Sequence, residues 1–575
     1  MQRRKTVVHV VRDGQEGTAP AAALAGLLTC RSYFAAAERT VIIGPWRAAG
    51  ESPERLLGPG GEVLYCTRAG RTDHRYAQVF AEIERKFDVA LLYGRRYLAN
   101  PQAQLKAAAE VALLDVSQAN VNPVHALKAW LFEEFGLDSL RHEGQPEYET
   151  ALRLAPAALA VLRALGASDP SHPAVLVAHD ASALPTALAA ILDPLQTFKT
   201  LYFAHDLPTI RRLIEQHPGH DTLFFNACRW ADGKPVYLPE FFGPQDDGYE
   251  YMLAQAAQHC DHVLGLGWHA AAEFRFLHPG FQHLTIDTAY DGLVARELSL
   301  GQKRPHRQHV QEALGACLGY RPDFILVHAS GPGTRSGFWR DLRVLEHLDE
   351  PLRLEGRTAV LVFLDAAEAG QGNPALPAER TAFLTALQAC NSRCRNVQAV
   401  PLCLLGESAP PAAEPVAAAQ LTRTDFQLAA DVEFNQSIYD PCGLPPLASL
   451  GAGAISVISS ACGCRDLIGG LSGFRGAPNV IVADYTQLGQ PAERLSLEEL
   501  LAIDRAFRDR IEQRVAAQAA QELFGRLARD DRQREQLLGS GYQLAAQMDW
   551  NQLCQRHFVP ALECAYRKYR VRQIA

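Results

Sequence analysis

The 575-residue chain is too long for one hydrophobic core, since single cores rarely grow beyond roughly 250–300 residues, and it therefore predicts two domains. Its 48% of hydrophobic and 21% of charged residues are ordinary for a globular protein, and a net charge of −8 argues against a nucleic-acid partner. No long uncharged apolar stretch predicts a membrane span, and 13 cysteines without C-x-x-C pairs favour reduced thiols in a cytoplasm over a metal site.

The first half of the chain alternates short apolar runs with longer helical stretches. Apolar runs without polar alternation are typical of strands buried on both faces, as in a parallel sheet. The pattern therefore predicts an α/β fold of repeated β–α units. The predicted strands span residues 6–11, 40–43, 63–65, 89–92, 174–177, 200–203, 262–266 and 284–286.

A polar, basic stretch at residues 301–307 interrupts this pattern and predicts an interdomain linker. We expect one domain over residues 1–300 and a second over 310–545, with a helix over 546–575 that returns to the first. Open α/β sheets bind ligands beyond the carboxyl ends of their strands, so the candidate site is a cleft between the domains. The predicted strands of the second domain span residues 324–328, 358–363, 397–401, 426–430, 455–458 and 480–482.

Gly14 and Gly17 lie in the loop after the first predicted strand. The N–H groups of such a loop are suited to a diphosphate or an acceptor sugar at the start of the next helix. An ordinary β–α turn, which uses glycine for its backbone angles, explains the pair equally well.

Two later strands each end in a histidine followed by an acid. His179 precedes Asp180, and His205 precedes Asp206. A single histidine at a strand end is as often a helix cap or a carbonyl partner as a functional group. Two of them at successive strands favour a functional role in the cleft.

Arg335 and Arg340 lie in a glycine-containing stretch after the predicted strand 324–328. Positioned arginines stabilise the charge that develops on a departing phosphate, which makes both residues candidate diphosphate ligands. The alternative is a glycine-rich turn that carries a solvated arginine.

The run Asp440-Pro441-Cys442-Gly443-Leu444 is the most informative part of the sequence. It places an acid and a glycine at the predicted N-terminus of a helix, where unpaired N–H groups favour a phosphate or a sugar hydroxyl. Ser460 and Gly463 follow in a turn of small residues after the next strand, and the N–H groups of such turns often meet phosphate.

In this order along the chain, the motifs resemble those of glycogen and starch synthases. The run that starts at Asp440 is similar to the sugar-donor motif of that family, which has glutamate at this position. His179 and His205 resemble its two histidine-bearing strand ends, and Trp550 resembles a tryptophan of its closing helix. Ser336 stands where the family has a lysine of the diphosphate loop.

The resemblance implies a retaining glycosyltransferase of the GT-B type, with two Rossmann-like domains that face a central cleft. It implies transfer of glucose from ADP-glucose or UDP-glucose to an α-glucan or oligosaccharide acceptor, without a cofactor or a metal ion. It assigns catalysis to His179, His205 and Asp440. The nucleotide-sugar contacts that it implies are Gly14, Gly17, Arg335, Arg340, Cys442, Gly443, Leu444, Ser460 and Gly463.

Two other functions are open at this point. A GT-B transferase that uses another sugar or acceptor in polysaccharide assembly fits the altered acid and the missing lysine. A weak or inactive homologue that binds a glucan or a nucleotide sugar fits the same departures. The sequence also leaves open the nucleotide base, the acceptor and whether the chain forms a homo-oligomer.

Overall fold

The computed structural model describes residues 4–12, 19–46, 52–100, 105–329, 331, 333–365, 376–403, 421–443, 447–473 and 477–568. These residues form two α/β domains, each built around one sheet, which confirms the predicted fold class. Within these ranges, no helix is both long enough and apolar enough to cross a membrane.

The first sheet has nine strands, and it forms the centre of the first domain. In chain order the strands are β1 (Lys5–Val10), β2 (Ala37–Pro45), β3 (Glu62–Cys66), β4 (Ala90–Asn100), β5 (Leu105–Asp115), β6 (Ala174–His179), β7 (Phe198–Ala204), β8 (His262–Leu266) and β9 (Ile286–Ala289).

These strands lie side by side in the order β3-β4-β5-β2-β1-β6-β7-β8-β9. The β3–β4 and β4–β5 pairs are antiparallel, and all other pairs are parallel. Strands β6 and β8 are buried at every position, because helices cover both faces of the central sheet.

Twelve described helices surround this sheet. They are α1 (Ala19–Leu28), α2 (Arg31–Ala36), α3 (Pro53–Leu57), α4 (Ala77–Phe87), α5 (Val121–Phe135), α6 (Pro146–Ala164), α7 (Leu184–Leu192), α8 (Pro208–Gln216), α9 (His220–Ala231), α10 (Leu238–Phe242), α11 (Tyr249–Ala256) and α12 (Ala270–Leu277).

The second sheet has six parallel strands. The strands are β10 (Phe324–His328), β11 (Ala359–Asp365), β12 (Val397–Cys403), β13 (Val432–Asn435), β14 (Ile455–Ser459) and β15 (Val480–Ala483). Their order is β12-β11-β10-β13-β14-β15, so the chain changes direction across the sheet between β10 and β13. In open α/β sheets such a reversal point is where ligands bind.

The remaining helices belong to the second domain or to the C-terminal return. They are α13 (Leu300–Leu318), α14 (Phe338–Leu354), α15 (Leu376–Arg393), α16 (Arg423–Ala429), α17 (Arg465–Ser472), α18 (Leu497–Leu501), α19 (Arg505–Arg526), α20 (Asp531–Gln547), α21 (Trp550–Leu553) and α22 (Val559–Arg567). Helix α22 packs against β6, β7 and β8, so the end of the chain lies on the first domain.

The stretch 301–307, where the sequence predicts an interdomain linker, is helical. It forms the first turns of α13, because Ser299 and Gln302 make a capping box at the start of that helix. The buried Lys303 ammonium then donates to the carbonyls of Ala430 and Ala452, at 2.7 and 2.6 Å, which docks α13 on the second domain.

The predicted strand 426–430 is also wrong. Its residues lie in α16, which begins at a capping box formed by Thr422 and Asp425. The strand of this region is β13, two residues later, and its four residues are all buried. Phe426 and Ala429 face the core one turn apart, so the apolar run reflects one face of a short helix.

A buried ion group joins the two domains. The guanidinium of Arg340 on α14 contacts Asp221 on α9 at 2.6 Å and Glu512 on α19 at 2.9 Å, and all three side chains are inaccessible to solvent. Burial by itself would lower the pKa of Arg340, but the carboxylates of Asp221 and Glu512 raise it. Arg340 Nη1 also donates to the carbonyls of Gln436 and Ser437, at 3.3 and 3.4 Å.

We expect Asp221→Asn to lower the free energy of unfolding by about 3 kcal/mol or more, because removing one partner leaves a buried charge uncompensated. Denaturant titration measures this loss. The matched control is Glu62→Gln, since Glu62 and Arg95 form an exposed pair at 3.5 Å that is worth about 0–1 kcal/mol. Equal losses in the two variants would contradict a structural role for the buried ion group.

Candidate active site

The first domain presents two histidines at the ends of neighbouring strands. His179 is the last residue of β6, and His205 directly follows β7. Because β6 and β7 are parallel neighbours, the two rings lie side by side, with His179 Nδ1 2.8 Å from His205 Nε2. The structure therefore brings together the two histidines that the sequence singles out.

The backbone of Asp180 holds these strand ends in place. Asp180 has a φ angle of +62°, which is unfavourable for a residue with a side chain, and its carboxylate accepts a 2.7 Å hydrogen bond from the His205 backbone N–H. Strained backbone of this kind persists only where its surroundings over-determine it, and it concentrates at functional sites.

The second domain contributes the loop after β13. The Asp440 carboxylate accepts hydrogen bonds from the Gly443 backbone N–H, at 2.8 Å, and from the Asn435 side-chain amide, at 3.2 Å. These bonds leave other acceptor positions of the partly exposed carboxylate unused. Asp440 is thus held rigidly and still offers an oxygen to a ligand.

The described residues after this loop do not form the predicted helix. Residues 447–453 contain 3₁₀ structure at Leu447 and a short 3₁₀ turn, Leu450–Ala452, which ends at Gly453 in a left-handed conformation. Gly451 and Gly453 are poor helix formers, and Gly453 favours the turn. Among the described residues, 447–453 therefore supply no α-helix dipole to this loop.

The strand ends of the two domains meet around Asp291. Its backbone N–H donates to Cys442 Sγ, at 3.3 Å, and Asp291 and His205 line the same cavity. Burial raises the pKa of Asp291. The nearby His205 opposes this rise, and Asp440 adds to it. His205 of the first domain and Asp440 of the second therefore each lie within electrostatic range of Asp291.

Arg335 lies directly beside the Asp440 loop. Its Nε donates to the carbonyl of Tyr439 at 2.9 Å, and its own carbonyl accepts from the Ile438 N–H at 3.0 Å. The two terminal nitrogens of this partly exposed guanidinium make no hydrogen bond to the part of the chain that the structure describes. Arg335 thus offers a cation next to the candidate sugar site.

Arg340 has a different environment from Arg335. Its nitrogens are occupied by Asp221, Glu512 and backbone carbonyls, and no part of the side chain reaches solvent. The geometry gives Arg340 a structural position between the domains, so we carry only Arg335 forward as a diphosphate ligand.

Ser460, Gly463 and Cys442 pack where the two domains touch. The Ser460 N–H bonds to the carbonyl of Ala483, and the Gly463 N–H bonds to the carbonyl of Asp440 at 2.8 Å, so neither faces a ligand in this conformation. A Cβ on Gly463 would lie 1.4 Å from the carbonyl oxygen of Pro441, which explains why glycine is required there. Gly14, Gly17 and Leu444 lie outside the described residues.

The strand ends of the first domain and the C-terminal return enclose a small cavity. The cavity between His205, Asp291 and Trp550 has a volume of about 20 Å³, enough for about one water molecule. The backbone N–H of Trp268 in the first domain reaches the carbonyl of Gly463 in the second at 3.3 Å. The two domains are therefore in direct contact at Trp268 and Gly463.

Sequence reasoning missed two groups at this site. His9, on β1, is fully buried and lies 2.9 Å from His179. The sequence feature that could have marked it is a single histidine within a mostly apolar strand. Glu273, on α12, accepts a 3.3 Å hydrogen bond from the hydroxyl of Tyr439, next to Asp440. No motif marks Glu273, because its partner is 166 residues away in the chain.

No protein-family model and no curated protein matches the sequence. Among solved structures, the catalytic domain of starch synthase IV from Arabidopsis thaliana matches with a TM-score of 0.52 at 12% identity, covering 98% of this chain and 100% of that one. A UDP-forming alpha,alpha-trehalose-phosphate synthase from Burkholderia xenovorans matches with a TM-score of 0.50 at 12% identity, covering 98% and 100%.

These similarities define the fold. The chain has a GT-B fold, in which two Rossmann-like domains face a central cleft, and this confirms the predicted architecture. At 12% identity the likeness extends to the fold alone.

The buried Glu273 predicts a pH dependence of stability. Burial raises the pKa of its carboxyl from 4.5 to about 8, with a smaller opposing effect from the Tyr439 hydrogen bond. Between these two values the folded protein holds a proton that the unfolded chain releases, so this group's contribution to stability falls as the pH rises through that window.

We expect Glu273→Gln to remove this part of the pH dependence. Compared with the wild type, the variant gains stability at pH 8 relative to pH 5, because the amide cannot ionise. Denaturant titrations at both pH values measure the difference, with the exposed Glu62→Gln as the matched control. Parallel pH profiles for the wild type and Glu273→Gln would contradict the assignment.

Proposed function

We propose that the protein is a retaining glycosyltransferase that moves glucose from a nucleoside-diphosphate glucose to an α-glucan acceptor. One arrangement carries the proposal: Asp291 of the first domain lies within electrostatic range of both His205 and Asp440, and Arg335 donates to the carbonyl of Tyr439, the residue before Asp440. The starch synthase neighbour, whose structure contains ADP and acarbose, supports this choice of donor and acceptor class.

In this proposal Arg335 binds the diphosphate. Its two terminal nitrogens donate charge-assisted hydrogen bonds to phosphate oxygens. These bonds strengthen as negative charge develops on the departing group. Tyr439 fixes the guanidinium through its carbonyl, at 2.9 Å, so little side-chain freedom is lost on binding.

Asp440 and His205 then orient the sugar on either side of the reacting carbon. The Asp440 carboxylate accepts a hydrogen bond from a hexose hydroxyl, and the unused Nδ1 of His205 meets a second polar group of the sugar. Separation of the domains admits the substrates, and closure expels water, which favours transfer to a sugar hydroxyl over hydrolysis.

We expect Asp440→Asn to reduce transfer to maltooligosaccharides by about 100-fold or more, because the amide loses the charged acceptor while its carbonyl can still hold the Gly443 N–H. Product analysis with ADP-glucose and UDP-glucose measures the rate. Unchanged transfer by Asp440→Asn would remove Asp440 from the site.

We expect Arg335→Ala to weaken nucleotide-sugar binding by about 10- to 100-fold, the effect of losing a charge-assisted hydrogen bond to phosphate. Calorimetry with ADP and UDP measures the affinity. The control is Arg353→Ala, since Arg353 forms only an exposed pair with Glu350 on the surface of α14. Equal affinity of Arg335→Ala and the wild type would show that the loop does not bind diphosphate.

The same assays separate the alternatives. Transfer from the nucleotide sugar to an acceptor other than an α-glucan supports a different polysaccharide pathway, and nucleotide-sugar binding without turnover supports a binding homologue.

A further inference from the structure

An unbroken chain of hydrogen-bonded side chains runs from the core of the first domain to the cleft. Tyr33 Oη lies 2.9 Å from His9 Nε2, His9 Nδ1 lies 2.9 Å from His179 Nε2, and His179 Nδ1 lies 2.8 Å from His205 Nε2. At the far end, the Tyr33 hydroxyl lies 3.1 Å from the hydroxyl of Thr40. We call these four residues, Tyr33, His9, His179 and His205, the histidine chain.

The inner members of the histidine chain are neutral. Tyr33 and His9 are 1% and 0% exposed, and His179 is 7% exposed. Burial lowers the pKa of His9 to about 3, with a smaller contribution from His205, and burial likewise lowers the pKa of His179. A neutral imidazole has one N–H donor and one acceptor nitrogen, so the direction of one hydrogen bond in the chain fixes the direction of the next.

When all three rings are neutral, the pairing of atoms permits only two consistent arrangements of protons. Each link between two rings joins an Nδ1 to an Nε2, so an N–H on Nδ1 of His9 requires an N–H on Nδ1 of His179 and then of His205. The reverse arrangement places all three protons on Nε2. Any mixed state sets two N–H groups, or two lone pairs, against each other at 2.8–2.9 Å inside the protein.

The direction of the chain decides what His205 offers to a ligand. Because Nε2 of His205 is engaged by His179, Nδ1 is the nitrogen left for the cleft, and it bonds to no other described residue. In the first arrangement Nδ1 donates a hydrogen bond, and in the second it accepts one from a sugar hydroxyl.

We propose that Tyr33, His9 and His179 are positioning residues that set the tautomer of His205, and thereby decide whether its cleft-facing nitrogen donates to or accepts from a sugar hydroxyl. The link to a sugar rests on the proposed function, whereas the coupling of the tautomers follows from the geometry alone. The carboxylate of Asp291, which lines the same cavity as His205, favours the arrangement with the protons on Nδ1.

The experiment uses the full-length protein labelled with ¹⁵N-histidine. Long-range ¹H–¹⁵N correlation spectra report the tautomer of each ring. At pH 7.5 we expect His9 and His179 to be neutral. We expect all three rings, His9, His179 and His205, to share one tautomer, with the N–H on Nδ1. Different tautomers for His9 and His179 in the wild type would overturn the proposal.

Two variants test whether the remote end controls His205. In His9→Phe we expect the His205 signals to move toward the average of both tautomers, although residue 9 does not touch the cleft. The milder Tyr33→Phe keeps the ring and its contact with Phe558, and we expect a shift in the same direction. A native circular dichroism spectrum with unchanged His205 signals in either variant would overturn the proposal.

The matched control is His142→Phe, since His142 is also buried in the first domain but packs on Tyr148. It should leave the His205 signals unchanged. If the protein transfers glucose, Tyr33→Phe should lower kcat more than it raises KM for the nucleotide sugar. Absence of transfer together with coupled tautomers would count against the proposed function and leave the proposal about the histidine chain supported.

Discussion

Arg340 stays charged in a dry interface only because Asp221 and Glu512 both contact its guanidinium. Removing these charges from water is costly, and their attraction compensates only when all partners are present together. Asp221 belongs to the first domain, while Arg340 and Glu512 belong to the second, so the ion group fixes how the domains meet. Arg340 also holds the carbonyls of Gln436 and Ser437, and the loop that ends at Asp440 therefore starts from a fixed point.

The same closed arrangement shapes the electrostatics of the cleft. His9 and His179 are kept neutral by burial, whereas Asp291 lies beside His205 and interacts with Asp440 across the domain boundary. The neutral rings of His9 and His179 can exchange donor and acceptor nitrogens without placing a charge in the core.

Much of the α/β architecture could be predicted, because buried parallel strands leave apolar runs that need no tertiary information to recognise. The sequence analysis failed where short segments depend on their caps and neighbours. Residues 426–430 look like a strand but follow a capping box, and 301–307 look like a linker but begin a helix. Strand β5, which pairs antiparallel with β4, likewise shows no clear alternation of polar and apolar residues, since it is rich in alanine and buried in part.

The candidate site, like the fold, could be predicted from the sequence only in part. By itself, the sequence determined which strand ends carry polar groups, and hence His179, His205, Arg335 and Asp440, since the carboxyl ends of parallel strands share one edge. Only the tertiary structure distinguished Arg335, whose two terminal nitrogens bond to no described residue, from Arg340, which is enclosed by carboxylates. It alone brought His9 and Asp291 to the site, because burial and pairing depend on contacts between residues that are more than 100 positions apart in the chain.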